Sequence, residues 1–168
     1  MTTKNGKYLC GHMPEEKFMR LAIAEAEAAR RAGDYAIGAV VVRDGEVLAS
    51  SGNRIKLECD PTQHAEIAAI RLACASLQTR HIEGSVLYTT AEPCPMCASA
   101  AIWARMAGIV SGSTIADMAE FRTRFGNPDW TWRTVDISSR TIIDQGDPKL
   151  FLIEAFLQDE CRTLFHDS

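Results

Sequence analysis

The sequence predicts a layered α/β domain, a mixed five-stranded sheet covered by helices, and three patterns along the chain support this reading. An Asp44-Gly45 pair joins two β-branched apolar runs. Helix and strand patterns alternate after it, and amphipathic stretches stand near both ends. Asp-Gly between apolar runs is the strongest short-range hairpin signal, so the first two strands are antiparallel. An alternating helix-strand order implies later strands that run parallel beneath their helices.

The elements follow in order. Phe18, Met19, Ala22, Ile23, Ala26 and Ala29 recur at helical spacing within 15–32, and Gly33 ends the run. Strands are predicted at 38–43 and 46–50. The next helix is placed from Pro61 to about Leu77, with Asp60 as N-cap, Pro61 at the first position and Gln63 at the third. A strand at 85–90, a helix from Cys94 to Met106 and a strand at 108–112 come next. The stretch 113–133 mixes aromatics, charges and turn formers without a period, which suits a loop or short helices. A fifth strand is predicted at 134–138. Leu150, Phe151, Ile153, Leu157, Cys161 and Leu164 then suggest an amphipathic helix across 148–165.

A chain of 168 residues with 46% hydrophobic content suits one domain with a full core, 1–168. No apolar run reaches about 18 residues, and Lys4, Asn5 and Lys7 interrupt any signal-like start, so a cytoplasmic protein with no membrane association is expected. Six cysteines are too few for a secreted disulfide scaffold. Cys10, Cys59, Cys74 and Cys161 are therefore read as reduced thiols, with Cys74 in the core.

The chemistry concentrates in two motifs, His64-Ala65-Glu66 and Pro93-Cys94-Pro95-Met96-Cys97. Cys94 and Cys97, three residues apart at a helix start, can grip one cation together. With His64 they make three ligands of the zinc type. Catalytic zinc usually keeps three protein ligands and one open position, whereas a structural zinc needs a fourth that no spacing in this chain supplies. Glu66 lies two residues from His64. Mid-helix, the two would point to nearly opposite sides, but at a helix N-terminus both reach a ligand beyond the helix end. Two helix N-termini then face one cation, and their dipoles favour thiolate and hydroxide.

The H-x-E and P-C-x-x-C pattern is the signature of zinc-dependent nucleobase deaminases. With Ile37-Gly38-Ala39-Val40, Gly52-Asn53 and Leu87-Tyr88-Thr89-Thr90, the chain resembles the cytidine deaminase superfamily over about Glu15 to Gly112. The resemblance is to the branch of guanine deaminases, fungal-type cytosine deaminases and tRNA adenosine deaminases. It implies a three-layer α/β/α sandwich with helices on both faces of the sheet, one Zn²⁺ per subunit on His64, Cys94 and Cys97, and Glu66 as the proton carrier. It also implies base contacts from Asn53 and the backbone N–H of Ala65, and a homodimer in which Ile102, Trp103 and Met106 offer apolar surface. Trp103 packs in the core or an interface, or walls the pocket.

The resemblance implies hydrolytic deamination of an amino-substituted nucleobase. Net charge is −4, and residues 1–140 balance, so all of the excess acid lies C-terminal, among Asp144, Asp147, Glu154, Asp159, Glu160 and Asp167. Such an end repels phosphate, which favours a small-molecule substrate over nucleic acid. Ala101 to Arg105 and the Pro-Cys-Pro-Met-Cys run resemble guanine deaminases and point to guanine or a guanine-like free base. Cytosine and tRNA adenosine are the alternatives. Ile37-Gly38-Ala39-Val40 and a possible arginine stripe (Arg105, Arg122, Arg124, Arg133, Arg140) favour tRNA. The chain departs from its relatives at Tyr35-Ala36-Ile37, where they commonly carry proline, and in 113–168, the family-divergent region. There Asp117, Glu120 or Asp129 could accept from ring N–H groups or be ordinary surface acids. A zinc-stabilised binding module without activity is the reading from another class, and it gives Glu66 no task.

Overall fold

The computed structural model describes residues 11–126 and 135–164. Helix α1 (Glu16–Arg31) leads into strands β1 (Gly38–Arg43) and β2 (Glu46–Gly52), a short helix α2 (Ile55–Glu58) and helix α3 (Ala65–Ser76). Strand β3 (Val86–Ala91), helix α4 (Pro95–Trp103) and strand β4 (Gly108–Ser113) follow. Helices α5 (Ile115–Phe125) and α6 (Ser139–Gln145), strand β5 (Phe151–Ile153) and helix α7 (Gln158–Thr163) complete the described chain.

The five strands form one sheet in the order β2-β1-β3-β4-β5. β1 pairs antiparallel with β2 and β3, whereas β3–β4 and β4–β5 are parallel. Asp44 and Gly45 take φ of 53° and 79°, the paired left-handed conformation that a tight hairpin requires. Alternation along the strands then divides the core. Ala39, Val41, Leu87 and Ile109 face a cluster with α3, α4 and α6, while Val40, Val42, Tyr88 and Val110 face one with α1 and α7. Helices therefore cover both faces, and the three-layer mixed α/β sandwich holds.

Gly38 and Gly52 are register partners on β1 and β2. A Cβ on Gly38 would lie 1.9 Å from the Ala22 carbonyl oxygen, and one on Gly52 would lie 2.7 Å from that of Glu25. The glycine pair is a bare patch in the sheet on which the backbone of α1 rests directly. Ala22, Ala26 and Ala29, all buried, complete the close approach.

Several expectations need correction. The helix after Asp60 starts four residues later than predicted: Asp60 Oδ1 accepts from the backbone N–H and hydroxyl of Thr62, two residues on, which closes a turn instead of capping a helix. No strand occupies 135–138; Thr134 lies outside the described residues. Ser138 caps α6 through Thr141 N–H at 3.2 Å, and the fifth strand is Phe151–Ile153, inside the span predicted as a helix. The apolar positions there are used as expected, with Leu150, Ile153, Cys161 and Leu164 buried. Ala155 and Leu157, at φ of 58° and 50°, break any continuous helix and leave only α7. The unperiodic stretch after Ser113 contains α5, started by a capping box between Thr114 and Asp117. Residues 127–134, and with them Asp129, Trp130, Trp132 and Arg133, lie outside the described residues, as do Cys10 and 165–168. Cys59, Cys74, Cys94, Cys97 and Cys161 are free thiols, Cys161 fully buried and Cys74 half-buried. Among the described residues no helix is long and apolar enough to cross a membrane.

Because the bare patch admits no side chain, Gly38→Ala is expected to lower stability by about 2–3 kcal/mol, the range of overpacking. Thermal unfolding should fall by roughly 5–10 °C. An unchanged melting temperature would show that α1 does not rest on this strand.

Candidate metal centre

Two helices begin at the same point. His64 is the N-cap of α3 (φ −65°, ψ 151°) and Cys94 the N-cap of α4 (φ −68°, ψ 168°). Pro95 occupies the first turn of α4, where its missing N–H costs nothing, and Cys97 is two residues further along. An N-cap has extended backbone, so its side chain leaves the helix axis and points past the helix end. His64 N–H bonds to Thr62 C=O at 2.8 Å, and Arg54 N–H to Gln63 C=O at 3.0 Å, which ties the approach to α3 to the end of β2. On the other side Glu92 N–H bonds to Ser113 C=O at 2.8 Å, fixing the approach to Cys94 against β4.

The three donor atoms form a nearly equilateral triangle. Cys94 Sγ lies 3.6 Å from Cys97 Sγ and 3.7 Å from His64 Nδ1, and Cys97 Sγ lies 3.6 Å from His64 Nδ1. Tetrahedral zinc with Zn–S near 2.3 Å and Zn–N near 2.0–2.1 Å has donor-donor edges of about 3.6–3.8 Å. The triangle therefore fits one face of that tetrahedron, and the donor chemistry, two thiols and an imidazole, suits zinc. Among the described residues no other group of three such side chains gathers in this way.

The protein groups are strongly coupled. The hydrogen bond between the Cys94 and Cys97 sulfurs, against the effect of burial, brings the Cys94 pKa down to about 4. Cys97 is correspondingly pushed up, first by that same bond and then by burial. Burial pulls the His64 imidazole down, but its interactions with Cys94 and Glu66 overcome this and leave it raised. Glu66, on the first turn of α3, is 3% exposed, and burial raises its carboxyl above the ordinary range. Its Oε2 has no hydrogen-bond partner. A buried carboxylate oxygen without a partner is costly, so the arrangement anticipates a donor beside the triangle.

The other expected residues are placed as follows. Ala65 is buried as the first residue of α3, where a backbone N–H has no partner within its helix. Asn53, 1% exposed, follows β2 directly, and its Oδ1 is a second buried acceptor without a partner. Trp103 ends α4 and is 75% exposed, so it does not pack in this chain's core. Ile102 and Met106, expected to share an apolar surface with it, face the core instead at 6% and 2% exposure. Asp117 is already engaged by Thr114, Gln158 and Arg162, and Glu120 by Arg124 and Arg162, so neither is a free acceptor for a ring.

Sequence reasoning missed Asp34 and undervalued Glu92. Both are buried carboxylates at 4% exposure. Glu92 accepts from Ile115 N–H at 2.7 Å and from Ser139 N–H at 2.9 Å, holding the start of α5 and the first turn of α6 beside the Pro93-Cys94 segment. Its sequence signal is a carboxylate directly after the strand-forming run Val86–Ala91. A cleft of about 670 Å³ between β2 and the outer flank of α3 is lined by Arg54, Gln63, Arg71 and Leu72 among others, but by none of His64, Glu66, Cys94 or Cys97.

Comparison with known proteins agrees with this geometry. Residues 13–113 match the cytidine and deoxycytidylate deaminase zinc-binding region. The tRNA-specific adenosine deaminase of Agrobacterium fabrum is 48% identical over 96 residues, 57% of this chain and 63% of the relative. The guanine deaminase of Bacillus subtilis is 39% identical over 109 residues, 64% of this chain and 70% of the relative. The aligned part thus spans less than two thirds of the Agrobacterium relative's length. A solved structure from studies of A-to-I editing by tRNA:A34 deaminases at the wobble position of transfer RNA aligns with a TM-score of 0.70 and 31% identity, covering 89% of this chain and 99% of that one. Fold, donor triangle and match over 13–113 together identify the chain as a member of the cytidine and deoxycytidylate deaminase family.

Proposed function

We propose that this chain is a zinc-dependent hydrolytic deaminase that releases ammonia from an amino-substituted nucleobase, with guanine or a guanine-like free base as its substrate. The observation that carries the reading is the buried carboxylate of Glu66, one oxygen of which has no partner, beside a three-donor triangle. His64, Cys94 and Cys97 would hold the ion, which when bound lowers the pKa of a water from 15.7 to about 7. Glu66 takes the proton that the attacking water gives up and passes it to a ring nitrogen as the new C–O bond forms. It then takes the remaining proton from the hydroxyl of the adduct and delivers it to the amino group, so that the C–N bond breaks, the carbonyl forms and ammonia leaves. Asn53 and the N–H of Ala65 orient the base.

Surface charge supports a small substrate. Arg105 pairs with Glu83 at 3.2 Å, Arg124 with Glu120 at 2.9 Å and Arg140 with Glu154 at 2.7 Å, so these arginines do not form an unopposed basic stripe. Asp159 and Glu160 add acid on α7. Adenosine in tRNA is the second reading, favoured by the 48% identity to the Agrobacterium tRNA-specific adenosine deaminase. A homodimer is part of the proposal, because exposed Trp103 at the end of α4 and exposed Leu72 on α3 are apolar side chains of a kind that a second copy covers. Free thiols suit a reducing, cytoplasmic setting.

Glu66→Gln should retain one zinc per chain while ammonia release falls on the order of 10²- to 10⁴-fold. Full activity in that variant would overturn the mechanism. Ammonia assays with guanine, cytosine, isocytosine, adenine, their nucleosides and a tRNA anticodon stem-loop address the substrate. Guanine is expected to turn over, and turnover of the stem-loop alone would replace the free-base reading with tRNA editing.

A further inference from the structure

Asp34 lies in the loop between α1 and β1, outside both signature motifs, yet it is bonded at both carboxylate oxygens. Oδ2 accepts from the N–H groups of Lys56 at 2.8 Å and Leu57 at 3.0 Å, the first turn of α2, whose own N-cap residue Arg54 supplies no side-chain bond. Oδ1 accepts from Tyr35 N–H at 2.8 Å and from Asn53 Nδ2 at 2.7 Å. Burial pushes this carboxyl up, but the four bonds outweigh it and hold it below its ordinary value.

The chemistry of this contact fixes which end of the Asn53 amide faces Asp34. A carboxylate only accepts, so the end turned toward it has to be the NH₂ group. Asn53 Oδ1 then points elsewhere, and it is one of three buried side-chain oxygens without a partner among the described residues, Glu66 Oε2 being another. Asn53 N–H is tied to Ile37 C=O at 2.9 Å, and its neighbour Arg54 bonds to Gln63, next to His64. Two unpartnered acceptors therefore stand on backbone segments stitched together at the metal-binding helix start.

We propose that Asp34 is a positioning residue for substrate: its carboxylate holds the Asn53 amide in one orientation, so that Oδ1 and the second N–H are presented to the base without a flip. The inference rests on the deaminase reading, in which Asn53 contacts the substrate. Asp34 itself does not touch the base. Removing its charge turns a fixed acceptor into an amide that can present either end. In Asp34→Asn the new amide oxygen can still serve Lys56 and Leu57, while its NH₂ group faces Asn53 and favours the flipped orientation.

A double-mutant cycle with a spectroscopic readout tests this. Asp34→Asn should lower kcat/KM roughly 10- to 100-fold, the loss expected for a hydrogen bond involving a charged group. In an Asn53→Ala background the same change should cost less than about threefold, because the residue that it acts through is gone. Zinc content should stay at one per chain in all variants. Equal losses in both backgrounds would overturn the proposal, and so would an Asn53→Ala variant as active as the parent. In the parent protein, one of the two Asn53 side-chain amide protons should lie well downfield of its partner in ¹⁵N-resolved NMR, and this asymmetry should collapse in Asp34→Asn. Its absence from the parent spectrum overturns the proposal whether or not Asp34→Asn folds. A parent protein inactive on every base tested would instead refute the deaminase reading, and the amide spectrum would still decide whether Asp34 holds Asn53.

Discussion

The site depends on one constraint: α3 and α4 have to begin at the same point, with their N-cap residues extended. His64 and Cys94 reach a common centre because each is the last non-helical residue before its helix. Each approach is held by a backbone bond to another segment, Arg54 to Gln63 on one side and Glu92 to Ser113 on the other. Two helix N-termini converging on one point concentrate positive potential there, which favours the thiolates and any anion that joins them. The sheet supplies the platform. β3 runs directly into Glu92-Pro93-Cys94, and its parallel partner β4 ends level with it, so this is the carboxyl end of a parallel pair, where open α/β sheets place their ligands.

Among the described residues three carboxylates are buried, those of Asp34, Glu66 and Glu92, and their hydrogen bonding differs. Asp34 receives four hydrogen bonds and Glu92 three, two of those from Ser139, so both are satisfied by the protein. Glu66 is equally buried and has one oxygen with no partner. Folding alone gives no reason to keep such a group, because leaving a charge-bearing oxygen unsatisfied in the interior opposes stability. The proposed function gives that oxygen a task, carrying protons between water and base.

The site was legible in the sequence to the extent that it depends on spacing. Cys94 and Cys97 on one helix start, and His64 two residues from Glu66, fix their mutual geometry locally. The hairpin was equally plain, because Asp44-Gly45 determines its turn by conformation alone. What the sequence concealed is non-local. Asp34 acts on residues some twenty positions away, and no local pattern marks an aspartate just after a helix as anything but a turn former. Around β5, apolar positions at 150, 153, 157, 161 and 164 have helical spacing, yet a parallel edge beside β4 offered Phe151–Ile153 more than a helix could, and left-handed Ala155 and Leu157 divided the stretch. The Asp60 cap failed for a local reason, since an aspartate that bonds two residues on forms a turn that competes with the cap.

X-ray absorption at the zinc edge of the purified protein tests the central claim most directly. The account predicts one zinc per chain with two sulfur neighbours at about 2.3 Å and two nitrogen or oxygen neighbours at about 2.0–2.1 Å, one of them exchangeable. Substituting Cys97 by Ser should remove one sulfur from that shell. A shell of three or four sulfurs, or one closed by four protein ligands, would contradict the account.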